Sequence, residues 1–385
     1  MGRAAAPAAP ILRLDRLVGN DEIRTLLGRA VAEKRLLPSL LFSGPVGVGK
    51  LSTARALAAS LNCLSPEGIM ACETCVACHK IATWNHPDVK VLESEASARA
   101  ASRPLFYPVG AADGARVPAS RAGNRLLIGQ VRHLVRDTAY RPFEARWRVL
   151  IVRDVETDPG QGCANVLLKI LEEPPTRTIF VVVTPQPERL PDTVPSRCHT
   201  LSFVPAPVDE VTKFLIEHGL DADEAHWRAV WTGGCPGAAR RLDSSSRRAS
   251  RDALVEALTV AADADAATAA TVAEPFGRRG VDLLATLDDL ALVARDLMIW
   301  RADPDLDLLA NRDRLAEMET LAASIPPDRG ARLLDRIAWC GSAASRHVNP
   351  SLMWQMLFLL AGGHLRDAPL SAPLQPALPG EEPIP

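Results

Sequence analysis

Three unbroken apolar runs stand out in the first half of the chain, in the segments SLLFS, WRVLIVRD and TIFVVVT. Each is too short for a helix and is bounded by polar or turn-forming residues, which reads as a strand buried on both faces. Between them, apolar residues recur at three- and four-residue spacing. Ile23, Leu26, Leu27 and Ala30 mark an amphipathic helix from Asn20 to about Ala32, with Asn20 or Asp21 expected to supply its N-cap oxygen. IGQVRHLVRDTAY has the same period, and CANVLLKILEEPP reads as a helix stopped by two prolines. Strands of this kind alternating with helices predict an α/β domain with a parallel sheet covered on both sides.

Beyond about residue 207 the strand signal fades. The pattern predicts an α/β domain over 15–206, a small helical unit over 207–243 and a longer Leu- and Ala-rich helical unit over 250–365. Residues 1–14 and the Pro-rich stretch 366–385 read as flexible tails. Residues 94–124, rich in Ala, Ser, Gly, Pro and Arg without a period, read as a surface insertion.

Composition changes this picture little. With 47% hydrophobic and 23% charged residues the chain is an ordinary globular sequence. A net charge of −2 gives no general pull toward nucleic acid, so any DNA contact falls to a local basic patch or to a partner. No apolar run reaches the roughly 18–20 residues that span a bilayer, and a cytoplasmic location is expected.

The chemistry begins directly after the first strand. Gly44, Gly47, Gly49 and Lys50 in SGPVGVGK have the spacing of a phosphate loop, placed between a predicted strand and a predicted helix. Glycines let backbone N–H groups curl around a phosphate, the helix N-terminus adds partial positive charge, and Lys50 adds a full one. The next residue should carry a hydroxyl for Mg²⁺, yet it is Leu51. Ser52 and Thr53 follow, turned about 100° and 200° away on a helix. Nucleotide binding is expected, whereas efficient Mg²⁺-dependent hydrolysis is not. Asp154, at the end of the second apolar run, suits a Mg²⁺-holding carboxylate, and Glu156 is a candidate to orient an attacking water.

Four of the eight cysteines, Cys63, Cys72, Cys75 and Cys78, fall within sixteen residues. Two Cys-x-x-Cys steps wrap a tetrahedral ion, and structural zinc is the expectation, with an iron–sulfur cluster as the competing reading. His79 is an alternative ligand. Cys163, Cys198, Cys235 and Cys340 are scattered and read as small buried residues.

SGPVGVGK, the four-cysteine module, LLKILEEPP and ERLPDTVPSRC follow one another in an order that resembles the bacterial clamp-loader branch of the AAA+ ATPases. These are the gamma/tau and delta-prime subunits of DNA polymerase III, and the resemblance covers residues 15–243. It implies a Rossmann-like ATPase domain, a helical lid and a helical collar that joins subunits into a hetero-pentamer with delta and gamma/tau, acting on a sliding clamp and primed DNA. It also implies ATP and Mg²⁺ as ligands, Arg197 as an arginine finger for a neighbouring subunit, Thr184 as a sensor of the γ-phosphate, and Val18 and Gly19 beside the adenine. Leu51, the separated pair Asp154 and Glu156, and Gly237 in place of a lid arginine favour a delta-prime stator over a gamma/tau motor. Arg240 and Arg241 lie near that position. The competing classes are a stand-alone ATPase or kinase and a zinc-bearing nucleic-acid-binding protein.

Overall fold

The computed structural model describes residues 11–107, 125–158, 160–303, 308–344 and 348–365. It divides the chain into two compact units, Met1–Arg241 and Leu242–Pro385. The expectations for the two tails, apart from residues 11–14, and for residues 108–124 lie outside the described residues.

In the first unit, strands β1 (Ser39–Ser43), β2 (Val89–Leu92), β3 (Arg148–Arg153), β4 (Thr178–Thr184) and β5 (His199–Ser202) form one sheet in the order β2-β3-β4-β1-β5. All four pairings are parallel, with Leu41 opposite Val182 and Ile151 opposite Val181. Every residue of β4 is buried because both faces of the sheet are covered. Phe42, Ile151 and Val181 pack on Ala54, Leu57 and Ala58 of helix α2 (Lys50–Asn62). Leu41, Leu150 and Val182 pack on the opposite face, among Val131 and Leu134 of one helix and Leu167 and Leu171 of another.

The remaining helices of this unit are α1 (Asp21–Ala32), α3 (Val76–Ala82), α4 (Glu95–Ala100), α5 (Ile128–Asp137), α6 (Gly162–Glu172), α7 (Val208–Glu217), α8 (Ala222–Trp231) and α9 (Pro236–Arg241). The last three pack around Val211, Leu215, Ala225 and Ala239. The chain enters the sheet at an interior strand, works back from the β2 edge through β3 and β4, then crosses β1 to add β5. Ligands of such sheets bind beyond the carboxyl ends of the strands, where the order switches. Here that place is the end of β1.

Two sequence expectations change. The helix expected from Asn20 begins at Asp21, and neither side chain caps it. Asn20 has φ 56° and turns its amide onto the backbone of Val204, donating to the carbonyl at 2.9 Å and accepting the N–H at 2.9 Å. Its role is to fasten the chain entering α1 to the exit of β5. The described part of the segment read as an insertion, 94–107, contains helix α4 and ends on Tyr107, which is buried.

The second unit is helical throughout its described residues. Its helices are α10 (Ser244–Asp263), α11 (Ala266–Val272), α12 (Leu283–Ala302), α13 (Leu315–Ser324), α14 (Pro327–Ala343) and α15 (Pro350–Ala361). Leu254, Leu290, Leu297, Leu333, Trp354 and Phe358 form its core. Asp243, Asp265 and Asp282 cap three of these helices, each bonding the third N–H of its helix, a contact that stabilises by about 1 kcal/mol. Arg251, 1% exposed, is held by both oxygens of Asp313 at 2.7 and 2.8 Å. No helix among the described residues is long and apolar enough to cross a membrane.

Candidate nucleotide site and metal module

The glycine-rich turn lies between β1 and α2, with Gly44, Gly47 and Gly49 all at positive φ. Helix α9 presses directly on it. The N–H of Gly237 donates to the carbonyl of Gly47 at 2.8 Å, and a Cβ on Gly47 would stand 2.5 Å from the backbone nitrogen of Ala238. Gly237 has the reciprocal constraint, since a Cβ there would lie 2.9 Å from the Gly47 oxygen. Both positions take glycine because two backbones meet, so no arginine fits at 237 without moving the turn.

Lys50 is 6% exposed, and its ammonium donates to the carbonyls of Gly44 and, at 2.7 Å, Pro45. Burial and the nearby Arg153 guanidinium pull its pKa down to about 8. Leu51 stands in the cleft wall where a hydroxyl would serve Mg²⁺, and Thr53 is turned away, its hydroxyl donating to the Gly49 carbonyl at 3.1 Å. Ser52 borders the cavities on both sides of the turn.

One of these cavities is a cleft of about 410 Å³ beyond the ends of β1, β3 and β4. Gly47, Gly49, Lys50, Asp154 and Glu156 line it, together with Arg103, Arg153 and Arg241. Asp154, at φ 62°, directs Oδ2 at Ser94, accepting its N–H at 3.0 Å and its hydroxyl at 2.8 Å. Burial, with the Asp154 charge beside it, raises the Glu156 carboxyl above its ordinary range, and Glu156 Oε2 is buried without a partner. Thr184, fully buried at the end of β4, accepts the N–H of Gln186 at 3.1 Å, and its hydroxyl tempers the rise of the Glu156 carboxyl.

The second cavity, about 80 Å³, is more apolar and lies on the other side of the turn. Val18 and Gly19 line it with Ile11, Leu17, Phe203 and Phe214, and Arg240 stands at its edge. The structure thus gathers Val18, Gly19, Gly47, Gly49, Lys50, Asp154, Glu156 and Thr184 around one turn. Gly44 sits at its base, where a Cβ would stand 2.2 Å from the Phe203 carbonyl oxygen.

Arg197 is separate from this group. It ends the one-turn segment Pro195–Arg197 and borders neither cavity. Its guanidinium contacts Glu172 at 3.2 Å and donates to the Thr193 carbonyl at 3.1 Å, with about a third of the side chain exposed.

Arg103 and Arg153 escaped the sequence reading. Both are held by Glu93, a carboxylate 1% exposed, which accepts from Arg103 Nε at 2.8 Å and from Arg153 at 2.8 Å. Arg103 follows helix α4, and no spacing rule connects it to the glycine turn. The only signal was that an arginine, Arg153, stands beside the strand-end Asp154.

The sulfurs of Cys63, Cys72, Cys75 and Cys78 lie within 4.8 Å of one another, with Cys63 and Cys75 at 3.9 Å. Four sulfurs each about 2.3 Å from a zinc ion sit about 3.8 Å apart, so the set fits tetrahedral zinc closely. Backbone N–H groups of Cys72, Cys75 and Cys78 point at the sulfurs of Cys63, Cys72 and Cys75, at 3.3, 3.3 and 3.5 Å, as thiolates require. His79 is not part of this group. Four protein ligands leave no open position, which marks a structural ion, one that would supply no reaction chemistry. The module is tied to the chain entering the apolar cavity. Leu12 N–H donates to Glu73 at 3.0 Å, and Arg13 and Arg16 pair with Glu67 and Glu73 at 2.7 Å.

A parallel sheet with its phosphate-type turn at the switch strand, a helical unit pressed on that turn and a cysteine module beginning at the end of α2 define a P-loop protein of the AAA+ type. A family model described as DNA polymerase III, delta subunit, matches residues 19–207. The gamma/tau subunit of DNA polymerase III from Mycobacterium bovis is 30% identical over 286 residues, 73% of this chain and 43% of that protein. The delta-prime subunit from Bacillus subtilis is 30% identical over 210 residues, 54% of this chain and 55% of that protein. A gamma-subunit-related protein of known structure from Thermotoga maritima superposes with a TM-score of 0.38 at 16% identity, covering 88% of this chain and 98% of that one. Residues 19–207 match the clamp-loader family of AAA+ proteins. It spans about half the length of the curated relatives it matches.

Proposed function

We propose that this chain is a delta-prime-like stator of the DNA polymerase III clamp loader. In this role it holds a nucleotide without turning it over efficiently and lends Arg197 to the active site of a neighbouring subunit. The observation that carries this reading is the corner where Mg²⁺ would sit. Leu51 offers no oxygen there, Thr53 is bonded back to Gly49, and Asp154 has given one carboxylate oxygen to Ser94. A hydrolytic site needs that ion to bridge the phosphates.

Arg197 supports the second half of the reading. A guanidinium supplied in trans must stand clear of its own nucleotide cleft and be free to leave weak surface contacts. Its ion pair with Glu172 is exposed and worth little. The zinc module and the helical second unit are read as structural, with partners (delta and gamma/tau subunits, the clamp and primed DNA) met through the assembled ring.

The test is ATP turnover by a reconstituted loader with clamp and primed DNA, comparing Arg197→Ala with Lys50→Ala in this subunit. Collapse for Arg197→Ala with survival of Lys50→Ala is the expected result. The reverse pattern makes this subunit a gamma/tau-type motor, the reading favoured by the mycobacterial relative. No effect of either change removes the clamp-loader assignment of these residues.

A further inference from the structure

The cleft next to the glycine turn carries more arginine than a Mg²⁺-bound phosphate site calls for. Lys50, Arg103, Arg153 and Arg241 all border it. Against these four cations stand three carboxylates. Glu93 lies between Arg103 and Arg153 and serves to hold both guanidinium groups in place. Asp154 is bonded to Ser94, and Glu156 is half-buried, with its carboxyl raised above the ordinary range by that burial. Divalent magnesium asks for near-octahedral oxygen ligands, and its usual protein oxygens are the ones this cleft has lost or committed elsewhere.

We infer that this site binds the phosphates of a nucleoside di- or triphosphate without a divalent cation, with Arg103, Arg153 and Arg241 beside Lys50 supplying the charge that Mg²⁺ would otherwise bring. The inference rests on the nucleotide-binding reading above and sharpens it. A guanidinium fork meets two phosphate oxygens at once, so arginines replace the ion with geometry as well as charge.

Arg241 is the informative member of the set. Gly237 cannot carry a side chain beside Gly47, and Arg241, one helical turn further along α9, borders the cleft from the same helix. The cations also press on one another. Partial burial, then Arg153, Arg103 and Arg240, lower the Arg241 pKa below its ordinary value, and Lys50 is lowered by burial and by Arg153. An anion placed among them relieves both effects, and the repulsion stays when it leaves.

The experiment is calorimetric titration of the full chain with ADP and with ATP, in excess EDTA and in excess MgCl₂ at matched ionic strength. The inference expects affinity in EDTA within about threefold of that in MgCl₂, and a loss of about tenfold or more for Arg241→Ala in both conditions. Arg241→Lys, which keeps the charge without the fork, should fall between them. Inorganic tripolyphosphate serves as a further probe, and binding weaker than ATP places the apolar cavity in the same site. A tenfold loss of ATP affinity in EDTA, or Arg241→Ala binding as tightly as the parent, overturns the inference and leaves nucleotide binding standing. No binding in either condition overturns the nucleotide reading itself and this inference with it.

Discussion

Asp154 and Ser94 are joined by two hydrogen bonds to one carboxylate oxygen, from the serine N–H at 3.0 Å and from its hydroxyl at 2.8 Å. The same hydroxyl accepts the N–H of Ser97 at 3.2 Å and so caps helix α4. One serine thereby fastens the end of β2 and the start of α4 to the end of β3. It also fixes where the chain returns to set Arg103 on Glu93. The acidic residue that the sequence marks as a metal ligand lines the cleft and is also, through one carboxylate oxygen, part of a strand-end clamp.

Ser94→Ala removes a helix cap and a charge-assisted hydrogen bond together. We expect a loss of about 1–3 kcal/mol in unfolding free energy, read by urea titration. A change below about 0.5 kcal/mol would mean that Asp154 finds other donors and that the clamp is incidental.

Gly47→Ala and Gly49→Ala separate backbone conformation from the contact with α9. Both glycines have positive φ, but a Cβ on Gly47 meets Ala238 at 2.5 Å whereas one on Gly49 meets nothing within 4 Å. Gly49→Ala should cost about 1 kcal/mol for its backbone alone. Gly47→Ala should cost clearly more, and equal losses in thermal unfolding would show that α9 yields freely.

The cysteine module should hold one zinc per chain by elemental analysis. Cys75→Ser should lower both metal content and melting temperature, because metal affinity in such modules contributes directly to folding free energy. Cys340→Ser, at a buried cysteine of the second unit, should leave metal content unchanged. Retention of a full equivalent of zinc by the Cys75 variant would argue against the four-sulfur set.

The depressed pKa of Lys50, about 8, predicts a pH dependence for the proposed nucleotide binding. Lysine is charged below its pKa, so the charged fraction falls from roughly nine tenths at pH 7 to roughly one tenth at pH 9. If the charged form is the one that binds phosphate, affinity should drop about tenfold across that window. Near pH 8 binding should also take up about half a proton, detectable as a buffer-dependent heat. A flat profile from pH 7 to 9 would place the Lys50 ammonium outside the binding contact.

Arg197→Ala should change stability by less than about 0.5 kcal/mol, since its ion pair with Glu172 is exposed. Unfolding curves that overlay the parent's make any loss of loader activity attributable to the missing guanidinium. A larger destabilisation would assign Arg197 a structural role.

Much of this protein was legible in the sequence because its signals are local. Continuous apolar runs report strands buried on both faces, as the fully buried β4 bears out. The glycine spacing before Lys50 reports a turn between strand and helix, and two Cys-x-x-Cys steps bring sulfurs together whatever the rest of the fold does. The family, too, was readable from the order of short segments.

What the sequence left open depends on residues far apart meeting through backbone and buried charge. Asn20 looked like a helix cap but is taken by Val204, because β5 ends beside it. Segment 94–107 lacks periodicity, yet Ser94 and Arg103 acquire roles through Asp154 and Glu93. Gly237 signals a missing side chain in sequence, and only the fold supplies the reason, the Gly47 carbonyl against it. Periodicity records which side of an element faces the core. It carries no record of which loop ends the sheet brings together, and at those ends the charges of the cleft are set.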